Sequence, residues 1–154
     1  MRAVNDWKAA CLQFFAQAEE AVTEALIALN EIERGATEIG LRHYRGQKLE
    51  DLGNAIGPCG LFADKGKMAS NALMDFRIHD NLRIHLAHSV TYVLIEGSGD
   101  WIIVFRHLAL QDRKSRRETL MIDKADAIAL QEELRRKTQS LIRNLTNLVK
   151  PVGS

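Results

Sequence analysis

Val90-Thr91-Tyr92-Val93-Leu94-Ile95, Gly97-Ser98-Gly99-Asp100 and Trp101-Ile102-Ile103-Val104-Phe105 follow one another in a chain whose other apolar residues recur largely at helical spacing. β-Branched and aromatic side chains fill the two outer segments, and a glycine-rich turn joins them, which is the pattern of a β-hairpin. Thr119–Ile122 offers a short third strand beyond a charged loop, Gln111–Glu118. A β insertion over about 90–122 is therefore expected inside a chain that is otherwise mainly α.

Upstream, Trp7, Cys11, Phe14, Phe15, Ala18, Val22, Ala25, Leu26, Leu29 and Ile32 recur at i+3/i+4 steps, predicting a helix over Asn5–Arg34. Asn5 or Asp6 is placed to cap its start, and Gly35 to end it. Glycines then punctuate the chain as far as Gly66, with one short helix expected near Gln47–Ile56, stopped by Gly57-Pro58-Cys59-Gly60. A further helix is predicted from Met68 to about His88. Its apolar face is Leu73, Met74, Ile78, Leu82 and Leu86, and its polar stripe is Asp75, His79 and Arg83. After the insertion, Ala127, Leu130, Leu134, Leu141, Leu145 and Leu148 form a near-heptad stripe on a last helix, Lys124–Lys150, with Asp123 as N-cap and Pro151 beyond its end. An antiparallel helical bundle with a small antiparallel hairpin or three-stranded insertion before the last long helix is the architecture expected.

The 154 residues suit a single domain, 1–154. With Lys+Arg at 21 and Asp+Glu at 20, the formal charge is +1, so no global field recruits a polyanion and only local clusters can. Even the longest apolar runs, Trp101–Phe105 among them, are too short for a bilayer, and charged residues arrive too early for a signal peptide. Cys11 and Cys59 are too few for a disulfide framework and too far apart for a CxxC site. A cytoplasmic protein without cofactor and without membrane partner is the expectation.

Three of the five histidines fall close together, at His79, His85 and His88. His85 and His88 are i, i+3 neighbours, but His79 lies far round a helix from them and no HExxH spacing occurs, so no metal site is expected. Arg113-Lys114-Ser115-Arg116-Arg117 carries four positive charges in five residues. It reads either as a grip on a phosphate backbone or as a solvated hairpin tip.

Arg83 and His88 form an Arg-x4-His pair inside Leu82-Arg83-x-x-Leu86-Ala87-His88-Ser89. That phrase resembles the signature of the HEPN superfamily, the higher-eukaryote and prokaryote nucleotide-binding helical domains. The long first helix with Ala18-Glu19-Glu20-Ala21, the Gly-rich hairpin and the Asp-started last helix are similar to the layout of one bacterial branch. The resemblance implies a metal-independent endoribonuclease of a toxin or defence system. Arg83 would stabilise the phosphorane and His88 would act as general acid/base, with Asn81, His85 and His79 in support; Arg113, Lys114, Arg116 and Arg117 are candidate phosphate contacts on the charge of the basic run alone. The resemblance also implies RNA as substrate, a cognate antitoxin or other protein partner, and a homodimer whose helices meet across the two-fold axis. The family's residue after the motif arginine is usually polar, and here it is Ile84.

The residue types suit that chemistry. RNA is cleaved when its 2′-hydroxyl attacks the adjacent phosphorus, which needs a base, an acid and positive charge on the phosphorane. Imidazole exchanges protons near neutrality and guanidinium holds two phosphate oxygens at once. On an unbroken helix, however, five residues place Arg83 and His88 about 140° apart, so the helix is expected to bend near His88. The rival reading is a non-catalytic HEPN-like domain that binds a protein partner or a nucleotide. A third is an unrelated bundle.

Overall fold

A computed structural model describes residues 1–32 and 41–151. The chain is mainly helical, 64% helix, with five helices and a small three-stranded antiparallel sheet among the described residues. In chain order these are α1 (Arg2–Ile32), α2 (Arg45–Ile56), α3 (Ala63–Arg77), α4 (Asp80–His88), β1 (Val90–Ile95), β2 (Trp101–Gln111), β3 (Lys114–Asp123) and α5 (Lys124–Leu148). They gather into two compact units. One is Met1–Gln13 with His79–Arg135, and the other is Phe14–Ile78 with Arg136–Ser154.

Among the described residues, the regular elements of the second are all helices. Val22, Leu26 and Leu29 of α1, Leu49, Leu52 and Ile56 of α2, and Leu73 and Phe76 of α3 are buried, as are Leu141 and Leu145 of α5. Phe15 meets Phe76 edge-on at 5.7 Å between ring centres. The α2–α3 crossing needs a glycine, since a Cβ on Gly66 would stand 2.6 Å from the Cβ of Ile56. Asp51 is buried at the edge of this core, and the Arg42 guanidinium that donates to both its oxygens holds its carboxyl below the usual carboxylate range.

The other unit is a sheet with helices on one face. The strand order is β1-β2-β3, with Val93 opposite Ile103 and Ile103 opposite Ile122. Those residues share a face with Phe105, which is fully buried against Trp7 of α1 and His85 of α4 at 6.4 and 6.1 Å. Trp7 also donates its indole N–H to the Ala127 carbonyl at 2.7 Å, tying α1 to α5. Asp123 caps α5 as the sequence suggests, its Oδ1 accepting from the Asp126 backbone N–H at 2.8 Å.

Several sequence expectations are corrected. The helix predicted over Met68–His88 is two helices, broken at Ile78 and His79 with no Gly or Pro there. Arg77 in the last turn of α3 and Asp80 in the first turn of α4 each oppose the dipole end they adjoin, so both helix ends are stabilised at the break. Met74 and Ile78, assigned to the apolar face, are 67% and 68% exposed. The stripe of Asp75, His79 and Arg83 is likewise split, and His79 is buried. α1 begins at Arg2, so Asn5 and Asp6 lie inside it and do not cap it; Gly35 lies outside the described residues.

The charged loop Gln111–Glu118 is mostly strand. Asp112 and Arg113 alone make the turn, both with positive φ (52° and 63°), the backbone of a two-residue hairpin loop whose twist matches its strands. Gly99, at φ +85°, closes the β1–β2 turn as the Gly-rich wording predicts, with the Gly99 N–H bonded to the Glu96 carbonyl at 2.9 Å.

Candidate functional site

α4 is short, and its last turn carries His85 and His88. His85 is buried by the sheet, because the β2 residues facing α4 are Phe105 and His107. The His107 ring stands edge-on to His85 at 6.1 Å and lies 6.4 Å from His88. Three imidazoles are thus gathered where α4 meets β2. His107 is the one that sequence spacing does not reveal, since it sits 19 residues beyond His88 and only the sheet register returns it.

Each ring is held differently. Nδ1 of His85 is 2.9 Å from the Ser89 hydroxyl. Nδ1 of His107 makes a long 3.5 Å contact with the His88 carbonyl. A carbonyl only accepts, so in that contact Nδ1 carries the hydrogen and Nε2 of a neutral His107 is the free base. Burial, and then the neighbouring His107, push the His85 imidazole below its ordinary value, against an upward pull from Glu118. His85 is therefore a neutral ring at pH 7, while His88 is exposed and His107 partly so.

Beside this cluster is a cleft of about 410 Å³ lined by Asn81 and His85 of α4 and by Arg116–Leu120 of β3. Glu118 is the cross-strand neighbour of His107, and Arg116 stands 3.8 Å from Glu118. Strand alternation divides the basic run. Lys114 and Arg116, opposite Gln111 and Ala109, share the His107 face, Arg117 opposite Leu108 belongs to the other face, and Arg113 is in the turn. Arg116 and Arg117 both line the cleft, and Arg113 and Lys114 are not among its lining residues.

Asn81, His85 and Arg116 are brought to one cleft, with His88 reaching the cluster through His107. Arg83 does not join them. α4 runs unbroken through Arg83 and His88, so the bend expected near His88 is absent and the two side chains leave the helix about 140° apart. His79 stands at the start of α4, its Nε2 3.6 Å from a Glu133 oxygen of α5, and does not line the cleft. Ile84 is 43% exposed and takes no part in the cleft lining. Among the described residues no group of three or more His, Cys, Asp or Glu has the geometry to hold a metal ion, and no helix is long and apolar enough to cross a membrane.

Comparison with family models, with curated proteins and with solved structures found no match to this chain.

Proposed function

We propose that this chain is a HEPN-like protein that cleaves RNA without a metal ion at the cleft between α4 and β3. The observation that carries the reading is the gathering of His85, His88 and His107 beside a cleft that also presents Arg116 and Asn81. One of the two accessible imidazoles, His88 or His107, takes the 2′-hydroxyl proton as that oxygen bonds to phosphorus. The other gives a proton to the departing 5′ oxygen, leaving a 2′,3′-cyclic phosphate and a 5′-hydroxyl. Arg116 meets the charge that builds on the phosphorane, and His85, fixed by Ser89 and packed on Phe105, positions His107. The toxin or defence role and the antitoxin partner implied by the resemblance belong to the same proposal.

A second reading is the non-catalytic interaction domain, and the divergence of Arg83 from His88 on one unbroken helix favours it. Incubation with mixed RNA in EDTA separates the two. Cleavage by the wild type, reduced on the order of 10²–10⁴-fold in His88→Ala, supports the nuclease. Arg116→Ala is then more damaging than Arg83→Ala. Absence of cleavage by the wild type sinks the nuclease reading in favour of the interaction domain.

A further inference from the structure

The face of the sheet turned away from α4 is uncovered. Val90, Tyr92, Leu94, Leu108, Leu110 and Met121 lie on it by register, and each is between 47% and 82% exposed. At something like 100 Å² apiece, these six side chains expose on the order of 600 Å² of mostly apolar surface, the upper end of what a typical monomer leaves open. With Ile102, Val104 and the charged residues at its ends, the face approaches the ~800 Å² per partner of a standard protein interface.

Its charges are segregated. At one end Asp123 flanks Ile102, and Glu96 and Asp100 of the β1–β2 turn line a hollow of about 480 Å³ with Trp101 and Ile128. Lys124 also lines that hollow and pairs with Asp100 at 3.3 Å, which leaves the end net acidic. At the other end Arg106 and Arg117 surround a smaller hollow beside Leu108, the Arg106 guanidinium 5.8 Å from the Tyr92 ring centre. Between them runs the row Tyr92–Val104–Met121, with Asp123 and Arg106 two residues to either side. A nucleic acid laid along this face would meet carboxylates at one end. A second copy of the same face, turned end for end, meets opposite charge at both.

We infer that this sheet face is the surface through which two copies of the chain associate, about a two-fold axis that crosses the strands at Val104 and Met121. With sheets ~10 Å apart and residues ~3.3 Å apart along a strand, Arg106 of one copy stands over Ile102 of the other. Asp123 is then one strand, ~4.8 Å, to the side. Arg117 reaches the acidic hollow of the partner. The inference is independent of the chemistry assigned to the histidines, and its dimer surface differs from the helical one that the HEPN resemblance implies.

The test is sedimentation of the full chain over a concentration series. The wild type sediments as a species of twice 17.3 kDa. Met121→Arg, at an exposed position next to the axis, sets two like charges together and raises the dimer dissociation constant at least about a hundredfold. A Met121→Cys chain carrying Cys59→Ser is joined by a short bismaleimide, because the two thiols face each other and Cys11 is buried. Leu110→Cys in the same background, far from the axis, is not joined. A wild type that stays monomeric at every concentration overturns the inference, as does a dimer indifferent to Met121→Arg. Should Met121→Arg lose its helical circular dichroism, the cross-linking pair decides, and equal joining of both cysteine variants overturns it.

Discussion

Phe105→Ala removes the ring on which α1, α4 and the sheet converge. The residue is 0% exposed, flanked by Trp7 at 6.4 Å and His85 at 6.1 Å, with the Lys8 ammonium 5.7 Å from its ring centre. Burying a phenylalanine side chain contributes ~1.5–3 kcal/mol by transfer alone. A ring packed on two sides leaves a cavity that its neighbours fill only in part, which places the loss at about 4 kcal/mol. For a chain of this length each kcal/mol moves the midpoint by ~2–4 °C, so thermal melting followed by circular dichroism is expected to fall by roughly 8–16 °C. Met74→Ala is the control. Sequence periodicity puts Met74 in the core, but it is 67% exposed, and its loss is expected to stay within ~0.5 kcal/mol. A Phe105→Ala shift below ~3 °C, or a Met74→Ala shift as large as that of Phe105→Ala, refutes the packing described.

Arg113 holds a left-handed backbone at φ 63°, so Arg113→Gly is expected to stabilise the β2–β3 hairpin by ~0.5–1 kcal/mol, read as a rise in melting midpoint. Burial pushes the Cys11 thiol up to about 12, leaving a thiolate fraction of ~10⁻⁴ at pH 8, whereas Cys59 is exposed. Thiol titration is therefore expected to find one fast-reacting group in the native protein and two in denaturant. His85 has its folded value lowered, so on acidification the unfolded chain takes up that proton first. Stability is full above ~6.5 and is lost as pH falls through the window beneath it. Urea melts at stepped pH are expected to show that slope in the wild type and a flatter one in His85→Gln.

Helix type and the strand pair were legible because their apolar periods are strong. The stripe of α1 from Trp7 to Leu29 and that of α5 from Ala127 to Leu145 are buried nearly as their spacing predicts, and Thr138 fills the step between Leu134 and Leu141. The break at Ile78–His79 was hidden because the i+3/i+4 pattern continues numerically across it. Only Arg77 and Asp80, each of the sign its helix end favours, mark it. The early start of β3 was hidden for a different reason. Lys114–Arg117 is exposed on both faces of an edge strand, so no hydrophobic alternation betrays it. His85 and His88 were legible as neighbours on α4, but His107 was not. Its signal is parity, since Ile103, Phe105 and His107 alternate on one face, and that becomes informative only once the register of β2 against α4 is known.

His107 enters the site through the fold alone, and the proposed cleavage depends on it. A labelled RNA incubated in EDTA with wild type and with His107→Ala, scored for new 2′,3′-cyclic phosphate ends, tests it directly. Cyclic ends are expected from the wild type, with a rate lowered at least about a hundredfold in the variant. Cleavage by His107→Ala at the wild-type rate contradicts that dependence.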